Sequence, residues 1–271
     1  MDPDDAGSAG VLHRAARLLN ALAEGGPEGL RLTDLAEAAA LPRPSAHRVL
    51  RGLVQERLVE VDARTKRYTL GLRLFEMGAR AGGRLGLRQI CRPVLLRLTE
   101  TLGETHFLLL RDGYEAVCLD RSTGPLVIRS LTGDIGGRVP LGVGQGGLAI
   151  LAFLPEAEQD DVIRHNAARL RDVGGLDEAT LRAELARVRR DGHCDRSSGV
   201  LPGMTGIGVP ILDREGRAVA ALSVGSTAEH LTPERGQVIA ALLKKEALAI
   251  AARLNPFDPA LRRAGAAMEM N

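Results

Sequence analysis

Residues 33–71 read TDLAEAAALPRPSAHRVLRGLVQERLVEVDARTKRYTLG, and this stretch decides the fold. Thr33 caps a short helix, DLAEAAA, with Asp34 and Glu37 in its first turns, where the helix dipole favours negative charge. That helix stops before Leu41-Pro42. Pro42 and Pro44 mark a new start, because proline is tolerated in the first turn of a helix. From Ser45 onward, Ala46, Val49, Leu50, Leu53, Val54 and Leu58 recur at helical spacing and form a face to bury. The opposite arc carries His47, Arg48, Arg51 and Gln55. LVEVD, ARTK and RYTLG then read as two short strands around a basic turn. Two helices joined by about four residues have the spacing of a helix-turn-helix. The basic hairpin behind them is a wing.

On the N-terminal side, Val11 to Glu24 places Val11, Ala15, Leu18, Leu19 and Leu22 on one helical face, and Gly25-Gly26-Pro27 ends it. On the C-terminal side, Leu72 to Arg88 is helical in pattern but broken by Gly78, Gly82, Gly83 and Gly86. Glycine costs about 1 kcal/mol in a helix interior, so this is a connecting helix with a weak centre and the domain boundary. The remainder alternates. Arg88–Leu102 is an amphipathic helix. Thr105–Leu110 and Glu115–Asp120 flank the turn signal Asp112-Gly113, and Leu126–Leu131 is a further strand. Gly142–Gly147 is a glycine-rich loop running into a helix, Leu148–Leu154. Two polar helices lie near Glu156–Asn166 and Asp177–Arg190. Gly206–Leu212 and Arg217–Gly225 form a hairpin, and Pro233–Leu254 is a closing helix. Antiparallel hairpins with helices at their ends make the fold class α+β.

Composition narrows the functions. Aromatic residues are 2% of the 271, with no Trp, which disfavours base-stacking and sugar-binding platforms. Net charge is only +2, but residues 10–75 hold eleven Lys/Arg against seven Asp/Glu, so the basic excess sits in the first quarter. Only Lys66, Lys244 and Lys245 are lysines, and the arginine richness follows a coding bias shared with Ala and Gly. Three cysteines far apart make neither a disulfide framework nor a C-x-x-C metal site, and a reducing cytoplasm fits them best. The acidic N-terminus has no apolar signal region, and no run of about 18 apolar residues exists to span a membrane.

A helix-turn-helix reads duplex DNA by laying its second helix in the major groove, with early residues on base edges and flanks on phosphates. Arg43, Pro44, Ser45, His47 and Arg48 hold that early position, and Arg51 lies one turn on. Arg64, Lys66 and Arg67 in the hairpin hold phosphate or enter the minor groove. The run GVGQGG lacks the Lys-Ser/Thr of a phosphate loop and the context of a dinucleotide fold. It is read as a close approach to a small ligand or a neighbouring strand, with an anion at the helix start as the alternative. His193-Cys194-Asp195 are contiguous, so they point to different faces of a strand, and Ser197 and Ser198 lack a nucleophile elbow. A polar strand end is the simpler reading. A redox- or hydrolase-type sensor acting through His193, Cys194 or Ser197 is the alternative function. Cys91 and Cys118 read as small buried residues.

The segment from Arg14 to Gly78 resembles the winged-helix domain of the IclR family of bacterial transcription regulators. GETHFLLLRDGYEAVCLDRSTGP, GGRVPLG, GLAILAFLP and GIGVPILDREGRAVAALSV resemble that family's effector-binding domain. The resemblance covers about residues 11–254. It implies a winged helix-turn-helix over 10–72, a linker helix over 73–88, a GAF/PAS-like effector-binding domain over 89–255, and a flexible tail over 256–271. It implies a non-enzymatic homodimer or homotetramer without cofactor or metal, most often a repressor, binding a palindromic operator in double-stranded DNA. Its effector would be a small organic acid, aromatic or keto. Carried over by position, DNA contacts fall on Thr33 and the residues named above. Effector contacts fall on Gln145, Gly146, Gly147, Arg196, Met204, Gly206, Ser223 and Gly225. Here Gly142-Val143-Gly144 stands where many members have His-Ala-Thr or His-Ala-Ser, and Ser198-Gly199 replace an acidic pair. Arg196 replaces an acidic or polar residue, which suits an anionic effector, since guanidinium pairs bidentately with carboxylate.

Overall fold

The computed structural model describes residues 3–80, 83–126, 128, 130–174, 177–195 and 201–254. The chain divides into two compact units, Met1–Gly82 and Gly83–Asn271.

In the first unit, α1 (Pro3–Glu24), α2 (Leu32–Ala38) and α3 (Arg43–Gln55) enclose a core built on Leu18, Leu22, Leu35, Leu50 and Val59. Val11, assigned by periodicity to the inner face of α1, is 48% exposed, because the core ends about two turns further along the helix. Thr33 does not cap α2. The cap position is Arg31, whose backbone N–H donates to the Asp34 carboxylate at 3.4 Å. The turn between α2 and α3 closes by backbone alone: Leu41 N–H donates to Ala36 O at 2.8 Å, with Ala40 at φ 44°. This is the helix-ending motif usually built on glycine, here made by alanine. Pro42 caps α3 and Pro44 sits in its first turn.

Behind the helices lies a three-stranded antiparallel sheet in the order β1 (Leu30–Arg31), β3 (Arg67–Leu70), β2 (Val59–Val61). β1 had no sequence signal, being two residues long. A Cβ on Gly29, just before it, would stand 2.4 Å from Tyr68 O, so only glycine lets the strand pair there. The wing turn between β2 and β3 hangs on Asp62, whose carboxylate accepts from Arg64 N at 2.8 Å and Thr65 N at 2.7 Å. α4 (Leu72–Arg80) follows.

The second unit is a five-stranded antiparallel sheet, order β6 (Arg138–Pro140), β5 (Glu115–Ser122), β4 (Thr105–Asp112), β8 (Ala218–Thr227), β7 (Met204–Leu212). α5 (Gly83–Leu102) and α9 (Pro233–Ala251) pack on one face through Leu95, Leu98 and Leu243. α6 (Gly144–Ala152), α7 (Glu156–Gly174) and α8 (Glu178–Asp191) cover the other through Ile150, Val162 and Leu185. Central β4 is therefore buried on both sides, with Phe107 and Leu109 toward α6 and Leu108 and Leu110 toward α5.

Two expectations change here. The described residues of 126–131 form no strand, and β6 takes the place beside β5. The glycine run is helix rather than loop from Gly144 on, so Gln145, Gly146 and Gly147 occupy the first turns of α6. Of the connector expected over 73–88, α4 is described up to Arg80 and α5 from Gly83, and residues 81–82 lie outside the described residues. The tail over 256–271 lies outside the described residues.

Candidate DNA interface and ligand pocket

Amphipathic α3 buries Ala46, Leu50 and Leu53 and turns Arg43, Pro44, His47, Arg48 and Arg51 outward. Ser45 is half-buried, and its hydroxyl accepts from the Arg14 guanidinium of α1 at 3.2 Å. Arg43, Arg48, Arg51, Arg64 and Lys66 make no ion pair with any described residue. Arg67 is already engaged, donating to Gly29 O at 2.7 Å and tying β3 to the loop before β1. Thr33 is exposed in the first turn of α2, its hydroxyl 3.1 Å from the Asp34 carboxylate. The wing-turn Asp62 is itself ionised well into acid, because Thr65 and Arg64 donate to its carboxylate. A row of unneutralised cations beside a groove-sized helix is what a polyanionic backbone selects.

The second unit contains a cavity of about 70 Å³ between the start of α6, β4, β8 and the 128–132 segment. Of the residues expected there, Gln145, Gly146, Met204, Ser223 and Gly225 line it. Gly147 and Gly206 do not. Arg196 lies outside the described residues. A Cβ on Gly146 would meet Leu109 Cδ1 at 2.3 Å, and one on Gly208 would meet Gln145 O at 2.3 Å. These glycines let the first turn of α6 lie directly on the sheet.

Among the described residues that line the cavity, the polar groups are uncharged. Ser223 is 7% exposed, and its hydroxyl has no hydrogen-bond partner among the described residues. Ser130 and Thr132 hydroxyls stand 3.1 Å apart on the opposite wall, and Thr205 adds a third hydroxyl group. Val143 precedes α6 and offers no side-chain acceptor, so the helix's positive end faces the cavity uncapped. Such a site can hold a carboxylate through N–H groups and hydroxyls. Phe107, Ser130, Thr132 and Thr205 were not anticipated. Thr205 sits between two residues that were, and Phe107 lies on a strand whose double burial its apolar run did announce.

His193, Cys194 and Asp195 do not converge. His193 Nδ1 is 3.0 Å from Asp191 O, Cys194 is buried with its backbone bridged to Gly208, and Asp195 pairs with Arg187 at 2.7 Å. Ser197 lies outside the described residues. Burial pushes the Cys91 thiol up to about 12 and Cys118 to about 11, far from a thiolate nucleophile. Among the described residues no cluster of His, Cys, Asp and Glu could hold a metal, and no helix is long and apolar enough to cross a membrane.

Comparison with known proteins bears on both sites. The IclR helix-turn-helix domain matches residues 11–63, and the bacterial transcriptional regulator IclR C-terminal domain matches residues 79–252. The transcriptional regulator KipR of Bacillus subtilis is 29% identical, over 83% of this chain and 90% of its own. BhcR of Paracoccus denitrificans is 30% identical, over 86% of this chain and 82% of its own. Among solved structures, the Thermotoga maritima IclR superposes with a TM-score of 0.74 at 27% identity, covering 91% of this chain and 99% of that one. An IclR homologue of Microbacterium hydrocarbonoxydans, complexed with 4-hydroxybenzoate, gives 0.76 at 27% identity over 90% of this chain and 98% of that one. KipR and BhcR are both transcriptional regulators of the helix-turn-helix type. With the helix-turn-helix model followed by the C-terminal model, the latter alone spanning more than half of the chain, the chain belongs to the IclR family of bacterial transcriptional regulators.

Proposed function

We propose that the chain is a repressor that binds a palindromic operator as a homo-oligomer, at least a dimer, and is controlled by a compact organic acid. The observation carrying the DNA part is the set of five cations on α3 and the wing that make no ion pair with any described residue. Arg43, Ser45, His47, Arg48 and Arg51 read the groove. Arg64, Lys66, Arg67 and Thr33 meet the backbone. One winged helix contacts too little DNA for tight specific binding, and two-fold proteins match two-fold sites. Val11 and Leu12 of α1 and Leu72, Phe75 and Met77 of α4 are exposed apolar side chains, and a second copy covers them. A gel-shift titration on DNA upstream of its own gene tests this. Failure to shift that duplex, or a 29 kDa-class monomer by light scattering at micromolar concentration, overturns it.

The cavity carries the effector part. Its carboxylate sits at the start of α6 over Gln145 and Gly146, with Ser223 donating. Arg196, expected to pair with the anion, lies outside the described residues. About 70 Å³ is half the roughly 150 Å³ that accommodates benzene. A short keto or hydroxy acid therefore fits, and an aromatic acid requires the walls to move. Calorimetry with pyruvate, glyoxylate and 4-hydroxybenzoate tests the order: the two short acids bind, the ring binds more weakly. The reverse order overturns the size argument.

A further inference from the structure

Two neighbouring residues of β5 face opposite sides of the sheet and are tied to different parts of the unit. Asp120 is fully buried toward α5. Its carboxylate accepts from Arg92 at 3.1 Å and lies 3.3 Å from Arg88 Nε, both on α5. Arg92 also donates to the Arg121 carbonyl at 2.8 Å. Arg121 points the other way. Its guanidinium carbon stands 5.6 Å over the ring of Phe107, a wall of the cavity, and it donates to Gly133 O at 2.9 Å. It thereby holds the segment whose Ser130, Leu131 and Thr132 form another wall. Its Nε is buried without a hydrogen-bond partner among the described residues.

The ladder between β4 and β5 is interrupted at this step. Leu108 pairs with Asp120 but Leu109 with Cys118, leaving Leu119 as an extra residue. A bulge re-aims side chains and lets a strand shift locally without breaking its remaining pairs. Rigid attachments on both sides of a soft point, one at the cavity and one at a helix, make a mechanical link.

We propose that the Asp120–Arg121 step transmits occupancy of the cavity to α5, with both acting as positioning residues rather than ligand contacts. An occupant that displaces Phe107 or the 130–132 wall moves Arg121, the shared backbone carries Asp120, and Arg88 and Arg92 turn α5. This rests on the effector reading above. It deepens that reading by naming the residues that convert binding into a response.

The test uses the full chain, pyruvate and glyoxylate as probes, and the duplex upstream of its own gene. Operator affinity is measured with and without probe, and probe affinity by calorimetry. The wild-type ratio of operator affinities is expected in the range of about 5- to 150-fold. Asp120→Asn, and separately the helix-surface pair Arg88→Gln with Arg92→Gln, should bind probe within about threefold of wild type yet give a ratio near one. Arg97→Gln, which removes a different ion pair of α5 to Glu246, keeps the wild-type ratio. Folding is followed by melting temperature, and the pair on the helix surface serves if Asp120→Asn does not fold. Wild-type ratios in both variants overturn the link while leaving the effector reading intact. A wild-type chain that binds neither probe, or binds without changing operator affinity, overturns both.

Discussion

The two units hold their charges in opposite ways. On α3 and the wing, Arg43, Arg48, Arg51, Arg64 and Lys66 point into solvent and make no ion pair with any described residue. In the second unit many cations are engaged, among them Arg111 with Glu158, Arg138 with Asp112 and Glu115, and Arg187 with Glu184 and Asp195. Its cavity shows no charged side chain among the described residues that line it. A surface meant for a polyanion keeps its cations available, because a bound phosphate replaces released counterions rather than an internal partner. In the second unit Arg111, Arg138 and Arg187 are held by carboxylates of the same unit, and the described lining of the cavity presents dipoles and hydroxyls instead.

The largest effect that sharpens this contrast is on stability of the second unit. Arg111 is 2% exposed; it pairs with Glu158 on α7 and also donates to Gly113 O at 3.0 Å. Glu158→Ala removes the carboxylate that pairs with this buried guanidinium and is expected to destabilise by about 3 kcal/mol, read by urea unfolding. The same substitution at an exposed first-unit acid, Glu37→Ala, changes stability by less than about 0.5 kcal/mol. Equal effects would break the contrast.

Acid should also act on the second unit. Burial lowers the His106 pKa from 6.5 to about 4, so the folded chain holds this ring neutral. Between those values the unfolded chain takes up a proton that the folded chain refuses. Stability contributed by the neutral ring is therefore full above pH 6.5 and falls as pH drops toward 4, by on the order of 2 kcal/mol. Urea midpoints at pH 7, 5.5 and 4.5 should slope less in His106→Gln than in the parent; parallel curves would assign the acid sensitivity elsewhere.

At the DNA face, Arg48→Ala should lose about 1–3 kcal/mol of discrimination between operator and random duplex. Lys66→Ala should weaken both duplexes alike and reduce the salt slope by about 0.9. Fluorescence anisotropy over a salt series separates the two, and a uniform loss in Arg48→Ala makes it a phosphate contact. The smallest effect belongs to the cavity. Ser223→Ala removes one hydroxyl and should weaken pyruvate binding by about 1 kcal/mol in calorimetry, with the melting temperature unchanged. No change would take Ser223 out of the site.

The winged helix was legible because its determinants are local. The prolines that start α3, the apolar spacing from Ala46 to Leu58 and the basic turn at 63–66 all act within a few residues of one another. Its finer parts were not. The turn after α2 uses Ala40 at positive φ in place of a glycine, and β1 is visible only through its pairing with Arg67 and Tyr68. In the second unit, the hairpins around Asp112-Gly113 and Asp213–Gly216 were readable from turn residues. The helical start at Gly144 was not, because glycine's poor helix propensity is overridden by packing that only a residue without Cβ allows.

Sequence alone therefore determined a winged helix with a basic recognition face followed by an α+β unit, since hydrophobic period, caps and turns are properties of short windows. Tertiary structure decided the cavity and what could speak to it. Phe107, Thr132, Gln145 and Ser223 come from a strand, a loop, a helix and another strand, and no window contains them together. The bulge at Leu119 that turns Asp120 to α5 and Arg121 to the cavity exists only in the pairing of β4 with β5. A strand's register is set by its neighbour, and a one-residue shift in it reverses which face each side chain serves.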